Sequence, residues 1–373
     1  MWLFIEPSDV LFFRTSRPFN AGESGYLTSL FPPTPETVQG AIRARVAANY
    51  ARAWKVTLAE AFNRPVLQEL IGNHKVGYGS FRVHGLMLGK RDPQEPGKII
   101  PLFPPPAHLL RGEDTQQTYR LAPCEPDAIR FTNVPDDLWL LEPEGDCEEK
   151  LGDFTNWLTF RELHTALSGN PDEVKTIKGI PSRKLFTFEP RLGIGMSNAT
   201  KTALEGFLYQ ISFVRLKPGV GLLVEVGLKG IEPKDVQEKL KLDKNGWLAL
   251  GGERRAASFE VLETPPVRSS LELASGRRTC LYFVTPTYFK GGWKPDDWKA
   301  LMQAVPVAAA VSHARLIGGW KQDPANSGGM PKELRRCVPA GSVYFFDSPI
   351  KEPGPFTDGG SEIGYGVAYK GAW

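Results

Sequence analysis

The chain carries 38 Gly and 32 Pro with no repeat among them, and that density most limits what it can become. Glycine and proline break long helices and shape turns, so they favour strands joined by long, shaped loops over a helical bundle. The 373 residues exceed the roughly 250–300 at which one core usually splits, so two domains are expected. Hydrophobic residues at 41% and charged residues at 23% exclude wholesale disorder. The net charge is only +3, from 45 Lys+Arg against 42 Asp+Glu, so a nucleic-acid partner needs local basic patches.

The four cysteines, Cys124, Cys147, Cys280 and Cys337, form no close pair, which argues against a disulfide framework or a zinc knuckle. The apolar start, Trp2 to Phe13, is interrupted by Glu6, Pro7 and Asp9 and lacks the pattern of a signal peptide. The longest apolar run elsewhere, Ala304 to Val311, falls far short of the 18 or so residues that span a bilayer. A soluble, cytoplasmic protein without membrane contact is expected.

Periodicity gives the organisation. Trp2–Ile5 and Val10–Phe13 read as strand. Thr34, Pro35 and Glu36 form a helix start, and Val38, Ile42, Val46 and Tyr50 recur every four residues, predicting a helix to about Trp54. Gly77–Gly89 reads as strand. From about residue 90 to 184 the pattern loosens into an irregular insertion, and Glu125–Lys150 holds nine acidic residues against two basic, a solvated acidic face. Phe207–Arg215, Val220–Leu228 and Ala256–Leu262 read as strands, with a short polar helix over Pro233–Leu242. Pro265-Pro266 and the serines after it mark a domain boundary. Beyond it, Thr279–Thr285, Val305–Ile317, Ser342–Phe346 and Ile363–Tyr369 read as strands, and Pro295–Met302 as a short helix. The expected class is α+β: two ferredoxin-like (RRM-like) domains with long irregular insertions, one over 1–265 with its insertion at about 90–184, the other over 266–373 with a glycine-rich C-terminal loop.

No constellation for catalysis or metal stands out. His74, His84, His108, His164 and His313 are far apart, no H-E-x-x-H or C-x-x-C occurs, and Glu162-Leu163-His164 is the nearest approach to a ligand pair. Neither G-x-S-x-G nor a P-loop is present. Gly193-Ile194-Gly195 begins like a dinucleotide loop, but Asn198 stands at the third glycine position. No catalytic residue, metal or cofactor is therefore assigned.

Basic clustering is the informative signal. Six basic residues against two acidic lie in Arg14–Lys55, six against one in Lys175–Lys201, and ten against four in Arg277–Arg336. Phe12, Phe13, Phe19, Tyr26 and Phe31 interleave with the first cluster, and Phe186 and Phe188 with the second. Rings that stack unpaired bases beside cations that hold phosphates are the usual chemistry of single-stranded RNA binding. Solvated faces account for any one cluster equally well, and Arg254 and Arg255 beside Glu253 read as a structural ion-pair corner.

Five blocks then resemble a known family. Leu11–Phe19 with Phe31–Arg43, Arg191–Gly195 with Lys201–Gly206, Leu250–Arg255, Val338–Val343 and the closing Gly364-Tyr365-Gly366 are similar, in order, to the third-subunit family of Cmr complexes, RAMP-superfamily proteins of type III-B CRISPR effectors. The resemblance covers nearly the whole chain except the acidic insertion. It implies two ferredoxin-like domains and a non-catalytic, Cas5-like role. Such a subunit grips the 5′ repeat-derived tag of the guide RNA and docks on the large polymerase/cyclase-like subunit and the backbone RAMP subunits. The RNA-binding candidates are Arg14, Arg17 and Arg43 in the first cluster and Lys184, Arg191 and Lys201 in the second. Arg335 and Arg336, before the Val338–Val343 block, join them, with Gly364 and Gly366, whose missing Cβ permits a close approach of backbone or phosphate. The alternatives are a metal-independent CRISPR RNA endonuclease with a histidine base and a purely protein-binding scaffold.

Overall fold

Helix Pro35–Trp54 forms where its capping signals predict. Thr34 is extended and its hydroxyl accepts from the Thr37 N–H, Pro35 fills the first turn, and Lys55 closes the helix in the left-handed region. The structure, a computed structural model, describes residues 1–15, 25–73, 77–125, 138–267, 278–323, 326–350 and 354–373. Val38, Ile42, Val46 and Tyr50 are buried along one helix face. The Tyr50 hydroxyl and the Asn49 amide donate to the Lys239 and Lys241 carbonyls, tying this helix to the short helix Val236–Lys239.

Both pack on a seven-stranded sheet in the order Asn245–Leu250, Arg255–Leu262, Trp2–Pro7, Val220–Leu228, Phe81–Arg91, Ile99–Phe103, Leu158–Thr159. Every neighbouring pair is antiparallel. Trp2–Ile5 reads as an unbroken apolar run because both faces of its strand are buried. Leu3 and Ile5 join the core under the helices, and Trp2 and Phe4 the core on the opposite side.

A second sheet has the order Ala308–Ala310, Val343–Phe346, Thr279–Phe283, Ala368–Ala372. Its Cys280, Tyr282, Val343, Phe345 and Tyr369 share one apolar cluster with Trp2, Phe4, Met87 and Leu223 of the first sheet. Its other face, Leu281, Phe283, Tyr344 and Phe346, packs on Phe289 and Met302. When the strands are numbered along the chain, the second sheet and the four strands from Arg255–Leu262 to Phe81–Arg91 of the first have the same order, 4-1-3-2. A long helix follows the first strand in one half, and the short helix Trp298–Met302 in the other. The α+β class holds.

Several expectations need correction. The insertion is not irregular. It adds Ile99–Phe103 and Leu158–Thr159 to the large sheet and builds a four-stranded sheet of Leu140–Pro143, Thr118–Cys124, Leu109–Gly112 and Leu151–Asp153. Its helix Phe160–Ser168 buries Leu163, Ala166 and Leu167 in the cluster the two sheets share. Strands of two to seven residues are too short for a period of two to show in sequence. The acidic stretch is also partly structural. Glu149 accepts from the Thr115 hydroxyl and the backbone N–H groups of Thr115 and Asp114, which hold it down at about 2, and Glu144 pairs with Arg120. Val10–Phe13 makes only a bridge from Leu11 to Val214, and Val305–Ile317 divides into Ala308–Ala310 and Arg315–Ile317, which join different sheets. The serines after Pro266 and much of the acidic stretch lie outside the described residues.

Candidate nucleic-acid interface

The feature that stands away from the body is a long hairpin, Phe186–Met196 with Ala203–Leu216, flanked in parallel by Tyr26–Thr28. Alternation along its first arm puts Phe186, Phe188, Leu192, Ile194 and Met196 on one face. Phe188 is 51% exposed, Leu192 72%, Ile194 46% and Met196 52%, and Leu208, opposite Ile194, is 62% exposed. So large an apolar stripe facing water marks a binding surface. Sequence reading missed this first arm because Pro190, Gly193 and Gly195 masked it. The signal was the apolar residue at every second position.

The other face explains the Gly-x-Gly motif. A Cβ on Gly193 would lie 2.3 Å from the Tyr209 ring, and one on Gly195 2.8 Å from the Phe207 side chain. The glycines are therefore seats for cross-strand aromatic residues and not a dinucleotide loop. Beside them Arg191, Arg215 and Arg255 meet Asp9, Glu189 and Glu253. The Arg215 and Arg191 guanidinium groups hold Glu189 at about 2, and Arg191 and Arg255 both lie over the Phe213 ring.

These contacts divide the RNA-binding candidates. Arg191 belongs to the ion-pair network, and the Arg255–Glu253 corner forms as its sequence suggests. Arg43 lies in the long helix, mostly desolvated, and donates to the Gly72 carbonyl at 2.9 Å, so its fork turns to a neighbouring loop. Gly364 and Gly366 are buried, and their positive φ serves the packing of the chain on itself. A Cβ at Gly364 would press on Val83, and one at Gly366 would lie 2.3 Å from the Phe356 carbonyl oxygen. As direct RNA contacts both glycines are corrected. Arg17 lies outside the described residues.

The exposed candidates are Arg14, Lys184, Lys201, Arg335 and Arg336. Arg14 bridges to Ser29 beside the hairpin, and Lys201 sits in the hairpin turn. Lys184, with Arg183, ends a turn, Ser182–Lys184, that leads directly into Phe186. None of Arg14, Arg183, Lys184 and Lys201 makes an ion pair with a described carboxylate. Arg335 lies over the Tyr288 ring, on a strand paired with Arg315–Ile317.

At the hairpin root lies a cleft of about 980 Å³ where the first sheet, the insertion and the second half meet. Phe31, Trp157, Phe186, His313 and Arg315 are among its walls. The Phe186 ring stands 4.6 Å from Phe31 and 6.0 Å, edge-on, from Phe188, so the aromatic surface runs from the cleft onto the exposed stripe.

The described histidines lie apart, and of them His313 lines this cleft beside Arg315. His108 is fully buried, its Nε2 faces the Ala166 carbonyl, and burial pushes its ring down to about 3. His84 is desolvated, His164 and His313 lie at the surface, and His74 is outside the described residues. Among the described residues no three His, Cys, Asp or Glu side chains gather as a metal site. No described helix is long and apolar enough to cross a membrane.

Solved structures give the class of the fold. The chain is similar to one in a cryo-EM structure of the type III-B Cmr-beta complex bound to cognate target RNA and AMPPnP. The identity is 17%, over 92% of this chain and 86% of that one, with a TM-score of 0.50. A chain of Cmr-beta bound to cognate target RNA matches at 15% identity over the same shares, with a TM-score of 0.48. One in a Csm3–Csm4 subcomplex of the type III-A CRISPR–Cas interference complex matches at 12% over 94% of both chains, with a TM-score of 0.37. No curated protein matches the chain. The first likeness is one of fold, that of a subunit of a type III CRISPR effector complex. The family model described as CRISPR-associated protein (Cas_Cmr3) matches residues 3–373, and the chain belongs to that family, as a Cmr3-like subunit of type III-B.

Proposed function

We propose that this subunit binds guide RNA without cutting it, gripping the 5′ repeat-derived tag at the hairpin root, and that it works in the cytoplasm. The observation that carries this reading is the root itself. Phe188 is exposed and continuous with the aromatic cleft, while Arg183 and Lys184 stand beside it without a described carboxylate partner. Rings for bases next to uncommitted cations for phosphates suit a single strand. Membership of a type III effector family supports RNA as the partner.

The outer hairpin favours a second contact. Leu192, Ile194, Met196 and Leu208 are mostly aliphatic, poor stacking partners for bases but good anchors for an apolar protein surface. We assign them to docking on a neighbouring subunit, either the large polymerase/cyclase-like subunit or a backbone RAMP subunit. The equal strand order of the two sheets supports reading the halves as two ferredoxin-like units, divided near residue 265.

The test is one incubation read on two gels. The purified chain is mixed with 5′-labelled repeat-derived RNA, with and without divalent metal. A salt-sensitive shift on the native gel, with intact RNA on the denaturing gel, is expected. Metal-independent cuts would overturn the non-catalytic reading, and the absence of any shift would overturn RNA binding by the chain itself.

A further inference from the structure

Arg315 is a half-buried cation with no described counter-ion. It lies on the strand Arg315–Ile317, lines the cleft at the hairpin root, and burial lowers its pKa from the usual arginine value. Among the described residues no carboxylate comes within ion-pairing distance. Its one described hydrogen bond, to the Phe31 carbonyl, is long at 3.4 Å. Arg120 is balanced by Glu144 and Arg91 by Glu6 and Glu260, while Arg43, also without a described carboxylate, has a shorter bond of 2.9 Å to the Gly72 carbonyl. Removing a guanidinium from water without a balancing anion is costly; a short carbonyl bond offsets that at Arg43, and at Arg315, whose one described bond is long, an anion from outside would offset it.

The cleft suits one kind of anion. Its volume, about 980 Å³, is at the top of the roughly 300–1,000 Å³ range of ligand sites. Its walls combine the cation and His313 with aromatic rings, Phe31, Trp157 and Phe186, with one carboxylate, Asp153, and with the small polar Ser182, whose hydroxyl accepts from the Trp157 indole N–H. A planar base against such a wall and a phosphate on a planar, forked guanidinium is nucleotide chemistry.

We propose that this cleft seats one nucleotide of a single-stranded RNA, with Arg315 holding its phosphate and the Phe186 side of the cleft holding its base. The proposal rests on the RNA-binding reading above and deepens it. It makes Arg315 a positioning residue that fixes where the strand leaves the hairpin root.

Arg315→Met keeps the side-chain length and removes the charge. Two readings are taken on the full chain, with oligouridylate as the probe. In filter binding, wild type binds, and the variant loses about tenfold in affinity, the scale of one charge-assisted phosphate contact. Its log–log salt slope flattens by roughly 0.7. Arg315→Lys, which keeps the charge but not the fork, falls between the two. In thermal unfolding without RNA, Arg315→Met melts at the same temperature as wild type or higher, because a half-buried charge with no described counter-ion has gone. A variant that binds as wild type does would overturn the nucleotide seat and leave the RNA-binding reading standing. One that melts well below wild type, or does not fold, would show a structural arginine and overturn it as well. A wild-type chain that ignores oligouridylate would remove both.

Discussion

At the scale of single residues, the burial of one side chain decides what each group can do. His108 lies edge-on to Phe345 and close to the charge of Arg120, and its ring stays neutral until about pH 3. An unfolded chain protonates the same ring near its ordinary value of 6.5. His108 therefore contributes stability that is complete above pH 6.5 and is lost as pH falls towards 3. Urea unfolding of the chain should lose about 2 kcal/mol between pH 7 and pH 5 from this group. In His108→Gln that part of the slope should disappear, and an unchanged slope would assign the acid sensitivity elsewhere. Gly366 is a second case. With φ at +71° and the Phe356 carbonyl against its Cα, Gly366→Ala should cost at least about 2 kcal/mol in chemical unfolding. It should leave the RNA affinity of the folded fraction unaltered. A selective loss of binding with stability intact would restore the glycine to the RNA site.

At the scale of elements, the hairpin carries the functional reading. Its aliphatic half is solvent-facing in the isolated chain, so Leu192→Asp with Ile194→Asp should change unfolding stability by no more than about 0.5 kcal/mol. Assembly with the neighbouring complex subunits, followed by co-purification, should fail. Normal assembly would refute docking through this face. Elements were legible in sequence where a signal was long or explicit. Thr34-Pro35-Glu36 and the four-residue spacing from Val38 to Tyr50 located the long helix at both ends. Val220–Leu228 coincides with its strand, and Phe207–Arg215 and Ala256–Leu262 lie within strands that run a residue or more further. Helix Phe160–Ser168 was announced by the Thr159-x-x-Glu162 capping box, a signal the sequence reading missed, whereas the strands of the insertion gain their stability from tertiary contact and not from their own pattern. In the candidate site, charge clustering pointed to the stretch around Lys184, but it cannot separate committed from uncommitted charge. Arg191 and Lys184 look alike in sequence, and only the carboxylates of Glu189 and Asp9, brought together by folding, tell them apart. Arg315 was one of ten basic residues in its stretch until the cleft formed around it.

At the scale of the whole molecule, the two sheets share one apolar cluster, and this limits how separate the halves are. Trp2, Phe4, Met87 and Leu223 are buried against the second half, each worth about 1.5–3 kcal/mol when removed from water. The fragment 1–265 would expose all four. It should be sensitive to protease and lack a sharp melting transition, whereas the full chain unfolds in one step by circular dichroism. A fragment that melts cooperatively would establish two independent domains. The cluster also gives the cleft rigid walls, since first sheet, insertion helix and second sheet pack in one core around its base. The central claim is that a guide-RNA strand is held at the hairpin root by cations that have no described carboxylate partner. It is tested most directly by the salt dependence of RNA binding for wild type and for the combined Arg183→Ala, Lys184→Ala variant. Each lost phosphate contact flattens the log–log slope by roughly 0.7, so a change of about 1.4 is expected, with the RNA intact. A slope that does not change would place the RNA elsewhere on the molecule.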